Sequence, residues 1–476
     1  MGLKMPLKLY GNLLSQPSRA VFMLLKANQI PHEFKFVDMA KGEHLSEEYE
    51  KLNPLKKVPV IEDNGFILRE SVAILRYLCR EKNVPDHWYP KDNKQQAKVD
   101  EYLEWQHLDT RLNCSMYFQH KFLIPLIKGE PPNEKKVAEF ERRMKTTLGL
   151  IENVWLENTP YLTGNQITIA DLLGVCEIEQ PRIAGYDARA EYPKIAAWME
   201  KVCQDLDPYY NEAHRILNKM AMKSQLFLRQ IPIFSRLNLT LFITMTVLLK
   251  LYGSLLSQPS RAVELFLSIN KIPYQSILIN VLKEDHKSDK FLKLNPFNKI
   301  PVIDDDGFVL KESVAILRYL CRERDVPAHW YPKDSKQQAK IDEYLEWHHL
   351  NTRLNCFSFF QIKYLAPLIT GNPADASKVK ECEEKMKTTL SLIENVWLRD
   401  KPYLVANTIT IADLLGVCEV EQLGMGGYDD RPEYPKISAW LDRIRQEFNP
   451  HYDEAHKLLN RIAARVKSLK HRTVKP

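Results

Sequence analysis

The sequence predicts a chain of two similar halves, each with a small α/β domain followed by an all-α domain. The first observation is a repeat: Leu9–Gly11 and Glu212–His214 recur as Leu251–Gly253 and Glu454–His456, each displaced by 242 positions (252 minus 10). The second is a change within each half from short strand-like runs to helical periodicity. Because solenoid repeats have periods of roughly 20 to 50 residues, each copy should be a complete globular body.

The first part of each copy has the pattern strand, helix, strand, hairpin and helix. In the first copy, Leu7–Tyr10 predicts a strand, and a helix begins at Pro17 and ends near Asn28. The pair Asn64-Gly65 lies between two apolar runs and is typical of a two-residue hairpin turn. The remaining segments are His32–Asp38, Val58–Ile61, Phe66–Leu68 and a helix with Ser71 as its N-cap.

The second part of each copy is predicted to be helical. From Asp92 onward, apolar residues recur at spacings of three and four. Thr168 and Asp171 have the spacing of a capping box, in which a hydroxyl and a carboxylate each accept a hydrogen bond from an N–H group at a helix start. Thr410 and Asp413 repeat it. Because the box accounts for both aspartates, we assign them to folding and not to catalysis.

These patterns give the predicted domain limits. The α/β domains span residues 5–86 and 247–328, the all-α domains span 92–220 and 334–470, and a linker spans 221–246. The linker is rich in Leu, Phe and Ile, unlike ordinary linkers. Its apolar stretch falls short of the roughly 20 residues of a membrane span. Two interpretations stay open: a connector that packs on one copy, or translated intergenic sequence joining two adjacent duplicated genes.

Composition indicates an ordinary soluble protein. The chain has 476 residues, 45% of them hydrophobic and 27% charged, and its formal charge of +6 is spread without long single-sign blocks. We therefore expect no nucleic-acid or membrane partner. The eight cysteines show no metal-ligand spacing, so we expect reduced thiols, a cytoplasmic location and no metal site. The N-terminus lacks an export or lipidation signal.

Two helix starts in the α/β domain are candidates for binding an anionic peptide. One lies at Ser15 and the other at Glu70-Ser71, and helix N-termini attract carboxylates and thiolates. Between them, Val58 precedes Pro59 and is pushed into an extended conformation. If that bond is cis, the Val58 N–H and C=O can pair with an extended ligand. The sequence leaves the isomer of this bond, and of Ile300-Pro301, open.

Several motifs together resemble one family. They are Leu-Tyr-Gly, Leu-Leu-Ser-Gln-Pro-Ser-Arg-Ala, Gly-Glu-His-Leu, Leu-Asn-Pro-Leu-Lys-Lys-Val-Pro-Val, Glu-Ser-Val-Ala-Ile-Leu-Arg-Tyr-Leu and Thr-Ile-Ala-Asp-Leu, in this order. The set resembles a cytosolic glutathione transferase of the theta class, in tandem duplicate. The resemblance implies a thioredoxin-like, glutathione-binding N-terminal domain on an all-α domain, with glutathione as co-substrate and no other cofactor.

The resemblance also implies the site residues. The catalytic serine falls on Ser15 and Ser257, where it would donate a hydrogen bond to the glutathione sulfur. The other implied contacts lie at matched positions of the two copies. For glutathione they are His44, Lys57, Val58, Glu70 and Ser71 in the first copy and His286, Lys299, Ile300, Glu312 and Ser313 in the second. Arg111 and Arg353 either add positive charge over the cleft or lie solvated on a helix face.

The copies differ in two places that bear on function. Around His44 the sequence is Gly-Glu-His-Leu, but around His286 it is Glu-Asp-His-Lys, so the second site matches the resembled pattern less closely. Residues 115–120 become a more aromatic segment at 357–362, on the helix that lines the electrophile pocket in the resembled family. We expect different electrophile preferences; drift on a partly buried helix face is the alternative.

The leading hypothesis is therefore conjugation of glutathione to small hydrophobic electrophiles, that is, detoxification. Two alternatives remain: a non-catalytic module that binds glutathione, hydrophobic ligands or a partner, or a chain with only one active copy. We expect either a homodimer or pairing of the two copies within one chain. The sequence does not name the physiological electrophile.

Overall fold

Each copy of the repeat begins with a four-stranded mixed sheet. The structure, a computed structural model, describes residues 6–225, 248–429 and 432–473. In the first copy the spatial order of the strands is β2-β1-β3-β4, with β2 parallel to β1 and the other two pairs antiparallel. The strands are β1 (Leu7–Gly11), β2 (His32–Phe36), β3 (Val60–Asp63) and β4 (Phe66–Arg69).

The hairpin between β3 and β4 turns at Asn64 and Gly65, as predicted. Both residues have positive φ, 51° and 81°. This is the requirement of a type I′ turn, and Asn-Gly meets it with little strain. The turn fixes the pairing of Val60 with Arg69 at the far end of the hairpin.

Three helices complete the α/β domain: α1 (Gln16–Ala27), α2 (Glu47–Leu52) and α3 (Ser71–Glu81). Both α1 and α3 bury apolar side chains; the two helices pack on each other, α1 also packs on the helical domain, and α3 also packs on β3 and β4. The N-cap prediction for α3 was wrong by one residue. Glu70 occupies the cap position with φ 62°, and Ser71 is the first helical residue. The Ser71 side chain is therefore not used as the cap.

The second domain of the copy is all-helical, as predicted. π-Helical turns at His107–Arg111 and Gln119–Leu123 join three helices end to end. α8 is buried along its whole length, and its start has the predicted capping box of Thr168 and Asp171. The helices are α4 (Asn93–Trp105), α5 (Leu112–Phe118), α6 (Ile124–Lys128), α7 (Glu134–Leu150), α8 (Ile169–Glu179), α9 (Pro193–Leu206) and α10 (Tyr209–Gln225).

A buried ion cluster joins the two domains of this copy. The Arg76 guanidinium on α3 lies 2.8 Å from Asp100 Oδ1 and 2.9 Å from Glu104 Oε1 on α4, and all three side chains are fully buried. The Tyr89 hydroxyl donates a further hydrogen bond to Asp100. Since removing one partner of such a cluster leaves a buried charge uncompensated, the cluster fixes α3 against the helical domain.

The second copy repeats the first with the same sheet order, β6-β5-β7-β8. The same buried cluster recurs at Arg318, Asp342 and Glu346. Its strands are β5 (Leu249–Gly253), β6 (Tyr274–Leu278), β7 (Val302–Asp305) and β8 (Phe308–Lys311). Its helices are α11 (Gln258–Ile269), α12 (Asp289–Leu294), α13 (Ser313–Glu323), α14 (Ser335–His348), α15 (Leu354–Phe360), α16 (Ala366–Thr370), α17 (Ala376–Leu392), α18 (Ile411–Glu421), α19 (Pro435–Phe448) and α20 (His451–Thr473).

Most of the predicted linker, 221–246, lies outside the described residues. α10 continues through its first five positions to Gln225, past the predicted limit at 220. Among the helices that are described, none is both long and apolar enough to cross a membrane. All eight cysteines carry free thiols.

Candidate functional site

One edge of the first copy's sheet brings together the segments that carry the predicted site residues. β1 and β2 end there side by side, at Gly11 and Phe36. Antiparallel β3 begins there at Val60, opposite Tyr10, and β4 ends there at Arg69. Each predicted residue lies in a segment that enters or leaves the sheet at this edge. They are Ser15, His44, Lys57, Val58, Glu70 and Ser71, with Ser257, His286, Lys299, Ile300, Glu312 and Ser313 at the equivalent edge of the second copy.

Ser15 lies between β1 and α1 and is the N-cap of α1. Its carbonyl accepts the hydrogen bond of the Arg19 N–H at 3.1 Å, but its side chain makes no capping hydrogen bond. An N-cap serine ordinarily uses its hydroxyl to satisfy the helix start. The Ser15 residue is 9% exposed, and its side chain is not used to satisfy the helix start. Ser257 has the same arrangement at the start of α11.

Arg19 anchors the loop that carries Ser15. Its fully buried guanidinium donates to the carbonyls of Leu13 and Leu14, at 3.0 and 3.3 Å. It also donates to the Cys176 carbonyl and the Gln180 side chain, at 2.9 and 2.8 Å, at the end of α8. The loop is thereby tied to the helical domain. Arg19 was not among the predicted site residues, although a charged residue beside the apolar run Ala20–Leu25 is a signal of burial.

The second copy retains the hydrogen bonds of this arginine but lacks a second contact that holds the loop in the first copy. Arg261 donates to the Leu255 carbonyl, the Cys418 carbonyl and Gln422. In the first copy, Asn12 also ties the loop to the Val37 carbonyl through a buried 2.9 Å hydrogen bond. Ser254 stands at the matching position, and its shorter side chain accepts only a 3.4 Å bond from the Leu256 N–H. The second serine loop is therefore held by fewer contacts.

The bonds Val58-Pro59 and Ile300-Pro301 are both cis, which answers the question that the sequence left open. Among the described residues, the Val58 N–H and C=O make no hydrogen bond to another protein group. The preceding carbonyl, that of Lys57, accepts hydrogen bonds from the Tyr49 hydroxyl and the Asn53 amide. The segment is thus fixed on one side, and the Val58 N–H and C=O remain available for hydrogen bonding.

Glu70 and Ser71 form the start of α3. Glu70 has φ 62° and ψ 120°, and Glu312 has nearly the same angles. A non-glycine residue in this region costs of order 1–3 kcal/mol, and such strain is concentrated at binding and catalytic sites. Ser71 is 1% exposed, and its Oγ has no hydrogen-bond partner among the described residues. In the second copy the Ser313 hydroxyl accepts a hydrogen bond of 2.9 Å from Arg353 Nη2.

Arg111 and Arg353 lie in the π-helical turns that follow α4 and α14. They are not solvated: their side chains are 19% and 13% exposed. Each faces a buried glutamate, Glu177 on α8 or Glu419 on α18. Arg353 Nε lies 3.0 Å from Glu419 Oε1, whereas Arg111 Nε lies 3.9 Å from Glu177 Oε1.

His44 lies on a short 3-10 turn, Glu43–Leu45, after β2. The residue before this turn, Gly42, has φ 73°; in the second copy Glu284 takes the same left-handed conformation at φ 60°. The turn is otherwise preserved, because Asp285 accepts a backbone hydrogen bond as Glu43 does. Despite the sequence difference, His286 is the middle residue of a 3-10 turn, Asp285–Lys287, as His44 is of its own. In both copies the Nδ1 atom is buried without a partner among the described residues.

The two copies differ in the apolar contacts beside the serine loop. In the second copy, Leu256, which precedes Ser257, packs with Phe357 and Phe360 of α15 in one apolar cluster. In the first copy, the corresponding cluster contains Phe118. Among the described residues, no group of His, Cys, Asp or Glu has an arrangement that could hold a metal ion.

Family models match both copies. Two models described as "Glutathione S-transferase, N-terminal domain" match residues 5–80 and 251–328. The model "Glutathione S-transferase, C-terminal domain" matches residues 116–205 and 358–447.

Similar proteins each correspond to one copy. Glutathione S-transferase theta-1 of Homo sapiens is 44% identical over 216 residues, and theta-1 of Bos taurus is 43% identical over 216. Each match covers 45% of this chain and 90% of the relative. The solved structure of human glutathione-S-transferase T1-1 in its apo form has 43% identity and a TM-score of 0.44, covering 45% of this chain and 91% of that one. A human glutathione transferase theta-2 structure, described as a complex with glutathione and an unknown ligand, has 39% identity and a TM-score of 0.44, covering 46% and 90%. The chain belongs to the glutathione S-transferase family and carries two copies of its two-domain unit in tandem.

Proposed function

We propose that each copy transfers the thiolate of glutathione to small hydrophobic electrophiles, and that Ser15 and Ser257 activate the sulfur. The observation that carries this proposal is a serine at a helix start in each copy whose side chain is not used for capping. A free thiol has a pKa near 8.5, and each unit of depression favours the thiolate by about 1.4 kcal/mol. A donated hydrogen bond and a helix N-terminus both favour the thiolate.

The neighbouring groups match glutathione in kind. His44 and Lys57 suit the glycyl carboxylate, and the Val58 backbone suits the cysteinyl peptide group. Ser71, at the start of α3, suits the γ-glutamyl carboxylate, while Glu70 suits the ammonium group. The second copy offers the same types at His286, Lys299, Ile300, Glu312 and Ser313. The change from Val58 to Ile300 is without consequence, because the backbone is the binding group.

We propose that the two copies prefer different electrophiles. Leu256 and the aromatic residues of α15 form one apolar cluster beside Ser257, and α5 has Ser115 where α15 has Phe357. The variants S15A and S257A, made singly in the full chain, each leave one copy active. Assaying both on a panel of electrophiles should give different profiles. Coinciding profiles would refute separate preferences.

A chain with one active copy is the second candidate, because the second serine loop lacks the tie that Asn12 provides. In that case S257A leaves total turnover unchanged and S15A abolishes it. We also propose a cytoplasmic protein that acts either as a homodimer or by pairing its own copies. Light scattering distinguishes the two: a homodimer has twice the mass of one chain, and internal pairing gives the mass of one.

A further inference from the structure

Each copy has a buried glutamate that faces an arginine of the candidate site. The pairs are Glu177 with Arg111 in the first copy and Glu419 with Arg353 in the second. Glu177 and Glu419 lie on α8 and α18 and are 1% exposed. Both Glu177 carboxylate oxygens, and Glu419 Oε2, have no hydrogen-bond partner among the described residues. Burial raises the pKa of both carboxyls, and the neighbouring arginine opposes that shift. A buried carboxylate with so few partners is costly, so its retention in both copies calls for a role.

The arginine connects this glutamate to the helix start. In the second copy, Arg353 Nε donates to Glu419 at 3.0 Å and Nη2 donates to Ser313 Oγ at 2.9 Å. In the first copy, Arg111 lies 3.9 Å from Glu177, and the buried Ser71 hydroxyl is unpartnered among the described residues. A guanidinium has five N–H donors, so the two contacts of Arg353 leave others for a ligand.

We propose that Glu177 and Glu419 are positioning residues, each holding the guanidinium of Arg111 or Arg353 over the first turn of α3 or α13 so that it binds the γ-glutamyl carboxylate of glutathione. The inference rests on the proposed function. A carboxylate ligand there meets a helix N-terminus, a serine hydroxyl and a forked cation together. The glutamate itself does not touch the ligand.

The test compares glutathione with an analogue that lacks only the γ-glutamyl α-carboxylate, 4-aminobutanoyl-cysteinylglycine. Binding of both is measured by calorimetry to the full chain with E177Q and E419Q combined. We expect the affinity for glutathione to fall about tenfold, the size of one lost charge-assisted hydrogen bond, and the affinity for the analogue to stay within about twofold. In kinetic assays, KM for glutathione should rise while kcat changes little.

The matched control is E179Q combined with E421Q. Glu179 is buried on the same helix, but it pairs with Arg182 and Tyr210 and not with Arg111. A merely structural effect would lower the affinities for glutathione and for the analogue equally, or would lower them equally in the control variant. Either result overturns the proposal. If the glutamine variants do not fold, R111K with R353K should give the same selective loss, because lysine lacks the fork. A wild-type chain that binds neither ligand would refute the proposed function as well, whereas wild-type binding with no selective loss refutes this inference alone.

Discussion

Replacing Arg19 with methionine should loosen the first copy at the loop that carries Ser15. The buried guanidinium donates to the Cys176 carbonyl and the Gln180 side chain, and methionine leaves both acceptors without a donor. The half-buried carbonyls of Leu13 and Leu14 can be rehydrated, so we count only the two buried bonds. At about 1.5 kcal/mol each, the expected destabilisation is about 3 kcal/mol.

Urea unfolding of the full chain, followed by fluorescence and circular dichroism, measures this loss. With a slope of about 3 kcal/mol per molar urea, the transition of the first copy should move down by about 1 M. Arg261→Met is the matched control, because Arg261 makes the same buried bonds in the second copy and should move only the other transition. In an S257A background, R19M should also lower kcat/KM by about tenfold or more, since Ser15 loses its position. An R19M midpoint within about 0.2 M of wild type, with unchanged kcat/KM, would refute the reasoning.

Three further predictions concern the helical domain of the first copy. Burial lowers the pKa of His214 to about 3, well below its unfolded value of about 6.5; its contribution to stability is therefore present above pH 6.5 and is lost as pH falls toward 3. In His214→Asn the free energy of unfolding should therefore fall less steeply between pH 6.5 and 4, with a slope smaller by up to about 1.4 kcal/mol per pH unit. The measurement is the urea midpoint at a series of pH values. Gly174→Ala should destabilise by about 1–3 kcal/mol, because a Cβ would lie 2.7 Å from Leu162 Cδ1 and from the Tyr102 hydroxyl, and an unchanged melting temperature would contradict this. Asp171→Asn should lower the melting temperature, because Oδ1 accepts from the Leu162 N–H and the Trp198 indole while Oδ2 accepts from the Thr168 N–H, and an amide has only one accepting oxygen. It should leave KM for glutathione unchanged; a selective rise of KM would mean that our assignment to folding is wrong.

Much of the fold could be predicted from local patterns. The Asn64-Gly65 turn and the Thr168–Asp171 capping box depend on residues close in sequence, and both occur where predicted. The N-cap of α3 was wrong because its position depends on the strained φ of Glu70. A positive φ is uncommon for a residue other than glycine, so the local sequence did not signal it at this glutamate.

The candidate site was predictable in its residue types but not in its support. Ser15 and Ser71 came from motifs, and the sheet topology then places both at one edge. Arg19 and Glu177 were missed because a single charged residue in a helix usually faces water, and only the packing of α1 and α8 shows that both are buried. The sequence offered one signal: charged residues inside otherwise apolar runs.

The most direct test of the central claim is the turnover of the full chain in which Ser15 and Ser257 are both replaced by alanine. Glutathione binding, measured by calorimetry on the same preparation, should stay within about threefold, because the other contacts remain. Turnover with a hydrophobic electrophile should fall by about tenfold or more, since the thiolate loses a donated hydrogen bond. A double variant that conjugates glutathione at the wild-type rate would contradict the account.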